Sequence, residues 1–392
     1  MKILVVLPRF PHPLDKGDKL RAFHQVRCLS QKHEVYLFCT SHQWVNDDDF
    51  NAVKSICKDI EVVHPNKIVS AWNVLKAALS ARSLQVAYWT SKKTVKKFRK
   101  FEKKVQPNVL YCQMIRTMKW VKKSKTPKVL DFQDALSKNI ERRMYHSGCF
   151  WRKVLHYEFK MVRSCEYDAF DIFDAFTIIS APDRDVIPHR RSSEIVVLPN
   201  GIDTDFFKPI DTPKNYDVVF CGNMNYPPNV DAAKHLVKDI MPKVWEKHPE
   251  ARVLISGTNP AGEVKRLAKE RVTVTGRVED IRRSYAQSKA FVAPMRMGSG
   301  MQNKLLEAMA MGLPCVTSKL AADALGTETG KHLLIGENSD DFAQKVVALL
   351  DNESHRAELA EEGNRFVRDN FNWERCNDIL EGVLSNALNN HK

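Results

Sequence analysis

The chain has 392 residues, of which 43% are hydrophobic and 28% charged, as in a folded globular protein with more than one domain. Lys and Arg exceed Asp and Glu, 61 to 47, so the net charge is +14 and an anionic partner needs to be considered. The nine cysteines form no CxxC pair, which disfavours zinc modules and disulfide frameworks. Pro8 interrupts the apolar start, which disfavours a signal peptide, and no apolar run is long enough to span a membrane.

The first half of the chain alternates short apolar segments with helical patterns. Strands are predicted at residues 2–7, 34–40, 60–64, 108–112, 128–132, 175–179 and 195–198. They are rich in Val, Ile and Leu, and amphipathic stretches separate them. This alternation is typical of a doubly wound parallel sheet with right-handed crossovers. We therefore predict a Rossmann-like N-terminal domain over residues 1–198.

The most basic predicted helix covers residues 92–104. Its cations are Lys92, Lys93, Lys96, Lys97, Arg99, Lys100, Lys103 and Lys104. Val95, Phe98, Phe101 and Val105 are spaced to lie on its apolar side. Three interpretations remain open: a solvated surface helix, a helix on anionic lipid, where each cation contributes ~1 kcal/mol, and a nucleic-acid contact. No nucleic-acid-binding motif accompanies the charge, so nucleic acid is the least favoured partner.

A turn-rich segment at residues 199–213 is predicted to link two domains. Further strands are predicted at residues 217–221, 252–256, 272–275, 290–293, 315–317 and 332–335, and terminal helices at 340–350, 354–369 and 373–386. This pattern predicts a second Rossmann-like domain over residues 199–371 and a C-terminal helix, 372–392, that packs back toward the first domain. Two such domains in series predict a cleft lined by loops that follow strands.

The most informative segment is the βαβ unit between the predicted strands 290–293 and 315–317. Its helix follows the glycine-containing loop 298–300, so bare backbone N–H groups and a partial positive charge at the helix N-terminus can receive a phosphate. Lys304 stands in the first turn of this helix, near the same anion. Glu307, one turn further on, can accept hydrogen bonds from a vicinal diol such as a ribose. The segment therefore predicts a nucleotide or nucleotide-sugar site.

Three segments of the second half carry a resemblance to a known family: 220–224 (FCGNM), 274–278 (VTGRV) and 302–312 (QNKLLEAMAMG). The chain resembles the GT-B glycosyltransferases, specifically the large retaining family 4 of nucleotide-sugar-dependent transferases. Residues 199–203 (PNGID) resemble the interdomain turn of that family, and residues 11–21 (PHPLDKGDKLR) resemble a bacterial subgroup associated with exopolysaccharide assembly. The order and spacing of these motifs are more specific than any one of them. The resemblance covers essentially the whole chain and implies an α/β GT-B fold, with two Rossmann-like domains facing a central cleft.

The resemblance also implies a donor site in the second domain. Glu307 would bind the ribose hydroxyls, while Gly298, Ser299 and Gly300 would place backbone amides at the diphosphate. The rest of the implied site comprises Arg277 and Val278 beside the base, Gly222 and Asn223 near the phosphates, and Gly17 in the first domain. Asn303 and Lys19 are further candidate substrate-binding residues.

Two departures from the family pattern concern the donor. Ser299 stands where the family carries the first of two glutamates, so the usual carboxylate contact to the donor sugar is missing. The Arg and Lys that often clamp the diphosphate after the Gly222 loop are also missing. We predict that Lys304 and Arg296 take their place. The family usually needs no metal, and no cofactor is implied beyond the donor substrate.

A third departure concerns the first domain. Many members carry a His-Asp pair after a strand, and here Gln133 occupies the histidine position. Glutamine cannot act as an acid or a base, so Asp131 or Asp134 would supply the polar or acid–base group there. The catalytic candidates are therefore Lys304, Asp134 and Asp131. The alternatives are that Asp131 pairs locally and that Asp134 caps a helix.

These observations predict a glycosyltransferase that moves a sugar from a UDP- or GDP-sugar to a glycan or lipid-linked acceptor in cell-surface polysaccharide or glycoconjugate biosynthesis. Retention of anomeric configuration is implied by the family only. We expect a cytoplasmic protein, peripheral on the inner face of the membrane through residues 92–104. Two alternatives remain open: a GT-B-fold UDP-sugar epimerase and a non-catalytic scaffold on a degenerate GT-B fold.

Overall fold

A computed structural model describes residues 1–145, 147–297 and 301–391. The chain divides into two compact units. The first comprises Met1–Asn200 and Trp373–Lys392, and the second comprises Gly201–Asn372. Each unit is built around one parallel sheet with helices, which confirms the predicted α/β class with two Rossmann-like domains.

The sheet of the first unit has seven parallel strands among the described residues, in the order β3-β2-β1-β4-β5-β6-β7. The strands are β1 (Lys2–Leu7), β2 (Glu34–Thr40), β3 (Asp59–Val63), β4 (Val109–Gln113), β5 (Lys128–Asp131), β6 (Ala175–Ile178) and β7 (Val196–Val197). Val5 in β1, Leu37 in β2 and Leu110 in β4 are fully buried. Helices cover both faces of such a sheet, so its strands read as nearly continuous apolar runs, which is why the sequence located them.

The helices of the first unit are α1 (Gly17–Lys32), α2 (Asp47–Lys54), α3 (Lys67–Leu79), α4 (Leu84–Trp89), α5 (Lys92–Val105), α6 (Met118–Val121), α7 (Leu136–Tyr145), α8 (Cys149–Asp168) and α9 (Ala181–Arg184). The last helix of the chain, Trp373–Asn390, also belongs to this unit. The indole ring of Trp373 stacks on the imidazole of His24 in α1, with centroids 4.7 Å apart. The final segment is therefore part of the first core.

The sheet of the second unit has six parallel strands among the described residues, in the order β10-β9-β8-β11-β12-β13. They are β8 (Tyr216–Cys221), β9 (Val253–Ser256), β10 (Val272–Val274), β11 (Ser288–Ala293), β12 (Cys315–Ser318) and β13 (Leu334–Gly336). The strand order reverses between β8 and β11, as it does between β1 and β4 in the first unit. Ligands of open α/β sheets bind at such reversals, beyond the carboxyl ends of the strands.

The helices of the second unit are α10 (Pro227–His235), α11 (Met241–Trp245), α12 (Gly262–Lys265), α13 (Ile281–Ala286), α14 (Asn303–Ala310), α15 (Lys319–Ala322), α16 (Ser339–Asp351) and α17 (Glu353–Asn370). The apolar residues Val230, Ala233, Val237, Ile240 and Val244 have the spacing of one amphipathic helix, but a π-helical segment, Leu236–Ile240, divides it. Pro242, in the first turn of α11, has no N–H to continue the α-helical ladder. The apolar face persists, because Ala233, Ile240 and Val244 are fully buried.

Candidate functional site

The loops that follow β8 and β11 lie at the reversal of the second sheet. Gly222 directly follows β8, with a φ of +155° that side chains rarely adopt. A Cβ added there would lie 2.7 Å from Nδ2 of Asn229 in α10. The same Asn229 amide donates to the carbonyl of Asn223 at 3.0 Å. Glycine is therefore required because the backbone turns tightly against a buried asparagine.

Lys304, in the first turn of α14, reaches this turn. Its Nζ donates to Oδ1 of Asn229 at 2.6 Å and to Oε1 of Gln302 at 3.1 Å. It also lies 5.4 Å from the centre of the Phe220 ring. Burial lowers the pKa of Lys304 to about 8, although attraction to Glu307 opposes the shift. Nζ also contacts Sδ of Met295 at 3.8 Å. These three acceptors are uncharged, so none of them neutralises the ammonium charge.

Glu307 lies one turn beyond Lys304 and is held by a tyrosine. Its Oε2 accepts a hydrogen bond from Oη of Tyr285 at 2.8 Å. Tyr285 stands on α13 and is fully buried, so it fixes the carboxylate. Burial raises the pKa of Glu307, while the Tyr285 hydrogen bond and the Lys304 charge oppose that shift. The sequence motif located Glu307 and Lys304, but nothing in it indicated Tyr285.

Arg296, expected to help clamp a diphosphate, is engaged by an acid in the structure. Its Nε and Nη2 contact the two carboxylate oxygens of Asp231 at 3.0 and 2.6 Å. This pairing raises the pKa of Arg296, against the effect of burial. A phosphate would have to compete with Asp231 for the guanidinium. Asp231 was missed because it stands 65 positions before Arg296.

The other predicted donor-site residues surround the same edge of the second sheet. Arg277 is exposed and Val278 half-buried in the loop after β10, and Asn223 is exposed after β8. Asn303 begins α14 and is half-buried. Gly298, Ser299 and Gly300 lie outside the described residues.

In the first unit, Asp131 ends β5 and is fully buried. Its Oδ2 accepts from Nε of Arg21 at 2.7 Å and from Oη of Tyr111 at 3.0 Å. Its Oδ1 accepts from Oγ1 of Thr177 at 3.0 Å. The carboxylate is thus satisfied by side chains of its own core. Local pairing accounts for Asp131 better than a role at a substrate.

Asp134, by contrast, is half-buried, and its pKa is raised. Burial of the carboxyl group and the charge of the neighbouring Asp183 carboxylate together raise this pKa to about 7. The side chain lines a small cavity together with Met114, Gln133 and Glu166. A carboxyl group with such a pKa is suited to proton transfer at physiological pH. Of the two predicted acids, the structure therefore favours Asp134.

Gly17 and Lys19 lie at the start of α1, in the first unit. Gly17 is exposed, and a Cβ added there would meet no atom within 4 Å. Lys19 forms an ion pair with Asp15, at 2.9 Å between Nζ and Oδ1. The fold itself therefore does not require glycine at position 17.

Within the part of the chain that the structure describes, no group of three or more His, Cys, Asp or Glu side chains is arranged to hold a metal ion. Every described helix is too short or too polar to cross a bilayer.

Comparison with known proteins gives matches over both units. Residues 215–352 match the family model described as "Glycosyl transferases group 1". A Klebsiella pneumoniae protein described as an "Uncharacterized 44.6 kDa protein in cps region" is 23% identical, over 95% of this chain and 97% of that protein. Phosphatidyl-myo-inositol mannosyltransferase of Mycobacterium tuberculosis is 30% identical, over 46% of this chain and 51% of that enzyme.

Solved structures share the fold over nearly the whole chain. Anabaena HepE in complex with UDP superposes with a TM-score of 0.70 and 15% identity, covering 98% of this chain and all of that one. Sucrose-phosphate synthase of Thermosynechococcus elongatus gives a TM-score of 0.69 at 13% identity, covering 98% of this chain and 99% of that one. Together with the two parallel-sheet units, these structures show that the chain has the GT-B fold. The match of residues 215–352 to the group 1 glycosyltransferases supports a glycosyltransferase, in agreement with the resemblance seen in the sequence.

Proposed function

We propose that this glycosyltransferase moves a sugar from a nucleoside-diphosphate sugar to a glycan or lipid-linked acceptor in cell-surface polysaccharide assembly. The observation that carries the proposal is the placement of Lys304 and Glu307 one turn apart on α14, at the strand-order reversal of the second sheet. The likeness to a protein of a cps region supports the surface-polysaccharide role.

In this proposal the donor lies across the N-terminal end of α14. The diphosphate accepts hydrogen bonds from backbone amides there and from the Lys304 ammonium, which is already held in place by Asn229. A fixed cation stabilises the charge that develops on the leaving diphosphate without reorganisation during the reaction. The helix N-terminus and Lys304 supply this charge from the protein, so we propose that no metal or further cofactor is required.

Two nucleotides are candidates for the donor. HepE is described in complex with UDP and with UDP-glucose, which makes UDP the first candidate. A Corynebacterium glutamicum relative, 28% identical over 48% of this chain, is described as GDP-mannose-dependent, which makes GDP the second. Retention of anomeric configuration follows from the GT4-like resemblance and is part of the proposal.

Within the first unit, we propose that Asp134 forms a polar contact with the acceptor or exchanges a proton with it, because its pKa is raised to about 7. Gly17 and Lys19 are proposed to approach the donor from the same unit. We propose a cytoplasmic location on the inner face of the membrane.

Titration calorimetry with UDP, GDP and ADP tests the donor site. The Glu307→Gln variant keeps the shape of the side chain but loses a charge-assisted acceptor for the ribose. We expect roughly a hundredfold weaker binding of the preferred nucleotide, equivalent to about 3 kcal/mol. Glu358→Gln, an exposed carboxylate on α17, is the matched control and should bind as the parent protein does. Unchanged affinity in Glu307→Gln would remove Glu307 from the site.

Nucleotide binding, together with analysis of the products formed from a UDP-sugar, separates the two alternatives. A scaffold on a degenerate fold should bind none of the three nucleotides. An epimerase should convert a UDP-sugar into its epimer without releasing UDP, whereas a transferase releases the nucleoside diphosphate in step with acceptor glycosylation.

A further inference from the structure

Helix α3 is packed with its apolar face outward. Ile68, Trp72, Leu75 and Leu79 follow one another at helical spacing, and each is more than half exposed. The buried residues of α3 are small, namely Ser70 and Ala77, and Asn73 and Val74 are half-buried. An ordinary surface helix does the reverse and turns its apolar stripe toward the core.

This arrangement exposes large apolar side chains to water instead of packing them into the core of the first unit. Trp72 is 58% exposed and Leu79 is 83% exposed. Contiguous apolar surface of this kind marks an interaction site in soluble proteins, because the apolar side chains gain free energy when a partner removes them from water. The partner of α3 must therefore present an apolar surface or interior.

A basic groove of about 560 Å³ lies between α3 and α5. All of its charged lining residues are cations: Lys76, Arg82, Lys92, Lys96, Arg99 and Lys119. Burial lowers the pKa of Lys119, and the positive charges of Arg82 and Lys122 lower it further. Cations crowd here without acidic side chains in the lining, so the groove is suited to anions.

Two other cations of α5 are paired with acidic side chains. Nζ of Lys97 pairs with Glu61 at 2.6 Å, and Nζ of Lys104 pairs with Asp59 at 2.7 Å, both acids on β3. The apolar residues Phe98 and Phe101 of α5 are buried in the core of the first unit. Helix α5 therefore has no apolar face left to insert into a membrane, so any contact of residues 92–104 with lipid would be electrostatic.

We propose that α3 and the basic groove together form a docking surface for an anionic bilayer. The face formed by Ile68, Trp72, Leu75 and Leu79 inserts among the acyl chains, and the groove binds the headgroup phosphates beside it. Interfacial helices bind membranes in this way, through an apolar face flanked by Lys and Arg. A second copy of the chain fits less well, because a symmetric dimer through α3 would bring two cationic grooves together.

The proposal refines the suggested membrane location and does not depend on the donor chemistry, so it is tested without nucleotide. Co-sedimentation with vesicles of phosphatidylcholine and phosphatidylglycerol should bring down the full-length protein, and vesicles of phosphatidylcholine alone should not. The Trp72→Ser, Leu79→Ser double variant should bind roughly tenfold more weakly or worse. Ile210→Ser, Leu320→Ser, which alters exposed apolar residues of the second unit, is the matched control and should bind normally.

The charge component has its own pair of variants. Lys92→Gln, Lys96→Gln, Arg99→Gln should weaken binding about a hundredfold at low salt, because each cation contributes about fivefold. Lys238→Gln, Lys247→Gln, Lys265→Gln removes the same net charge from exposed positions of the second unit and should leave binding nearly unchanged. Equal loss in both sets would mean that net charge, and not this groove, attracts the vesicles.

Insertion is measured directly with brominated acyl chains, which quench tryptophan on contact. The parent protein should show partial quenching, and Trp72→Phe should bind equally well but lose that quenching. Binding without quenching, or binding that survives Trp72→Ser, Leu79→Ser, would overturn the role of α3. A concentration-dependent dimer that this double variant abolishes would instead make the face a self-association surface and overturn the proposal.

Discussion

The guanidinium of Arg21 donates two hydrogen bonds to the carboxylate of Asp131, from Nε to Oδ2 at 2.7 Å and from Nη2 to Oδ1 at 3.2 Å. Both side chains are fully buried. The second carboxylate contact fixes the planar guanidinium in one orientation, from which it also donates to the carbonyl of Leu198 at 2.9 Å. The pair therefore joins β5 and α1 to the segment around Leu198, where the chain leaves the first unit for the second.

Asp131→Asn should destabilise the protein without a specific effect on chemistry. The variant leaves the Arg21 charge buried without its counter-charge, so we expect a loss of about 3–5 kcal/mol in the free energy of unfolding, measured by urea denaturation. Asp185→Asn, which breaks an exposed pair with Arg184, should change that free energy by less than about 1 kcal/mol. Full stability with lost transferase activity in Asp131→Asn would return Asp131 to the catalytic site.

Nucleotide binding should weaken as the pH rises above the pKa of Lys304. That pKa is lowered to about 8, so the unliganded site loses its ammonium charge in mildly alkaline solution. A bound diphosphate stabilises the charged form, so binding above pH 8 takes up a proton and the affinity falls by at most about tenfold per pH unit. Calorimetry in two buffers with different ionisation enthalpies measures this uptake.

Lys304→Arg is the control for that prediction, because arginine stays charged throughout the alkaline range. Its affinity for nucleoside diphosphates should be flat where that of the parent protein falls. Stability follows the opposite trend: the unfolded chain holds the Lys304 proton up to a pKa near 10.5, so the unliganded parent gains stability from this group as the pH rises from about 8. Equal pH profiles in both proteins would remove Lys304 from the phosphate site.

Asp134→Asn should stabilise the protein at alkaline pH. The folded-state pKa of Asp134 is raised to about 7 by burial and by Asp183, so its contribution to stability is complete below its usual pKa of 3.8 and is lost as the pH rises through 7. The variant removes the buried charge and should be more stable than the parent at pH 8 by up to roughly 4 kcal/mol. At pH 4 the two melting temperatures should nearly coincide.

The same variant tests the proposed role of Asp134 in the reaction. If the carboxyl group transfers a proton, the pH profile of kcat/KM for the parent protein shows an ionisation near pH 7, and the profile for Asp134→Asn lacks it. If the parent profile lacks this ionisation, or if the variant is fully active, Asp134 affects only the stability of the protein and not the reaction.

Two glycines of the candidate site should respond differently to alanine. Gly222→Ala places a methyl group 2.7 Å from Asn229 Nδ2 at a φ of +155°, so we expect a loss of about 2 kcal/mol in unfolding free energy and weaker nucleotide binding. Gly17→Ala meets open space and should change stability by less than about 0.5 kcal/mol. A lower kcat/KM in Gly17→Ala at unchanged stability would support a close approach of its backbone to the donor.

The sequence located most secondary structure, because parallel strands buried on both faces leave uninterrupted apolar runs. The segment 290–293 was predicted as a strand, and the structure extends it to Ser288–Ala293. The divided helix at Leu236–Ile240 was missed, since the apolar period continues through it. Strand order was left undetermined, because it depends on pairing between distant segments.

By itself, the sequence determined the class of the protein and indicated Lys304 and Glu307 as the centre of the proposed donor site. Lys304 and Glu307 are local features of one helix, so their spacing is fixed as soon as that helix forms. Tertiary structure decided everything that depends on distant partners. It neutralised Arg296 with Asp231, satisfied Asp131 with Arg21, and turned the apolar face of α3 toward solvent. Periodicity shows that a helix has an apolar side, but only packing decides whether that side meets the core.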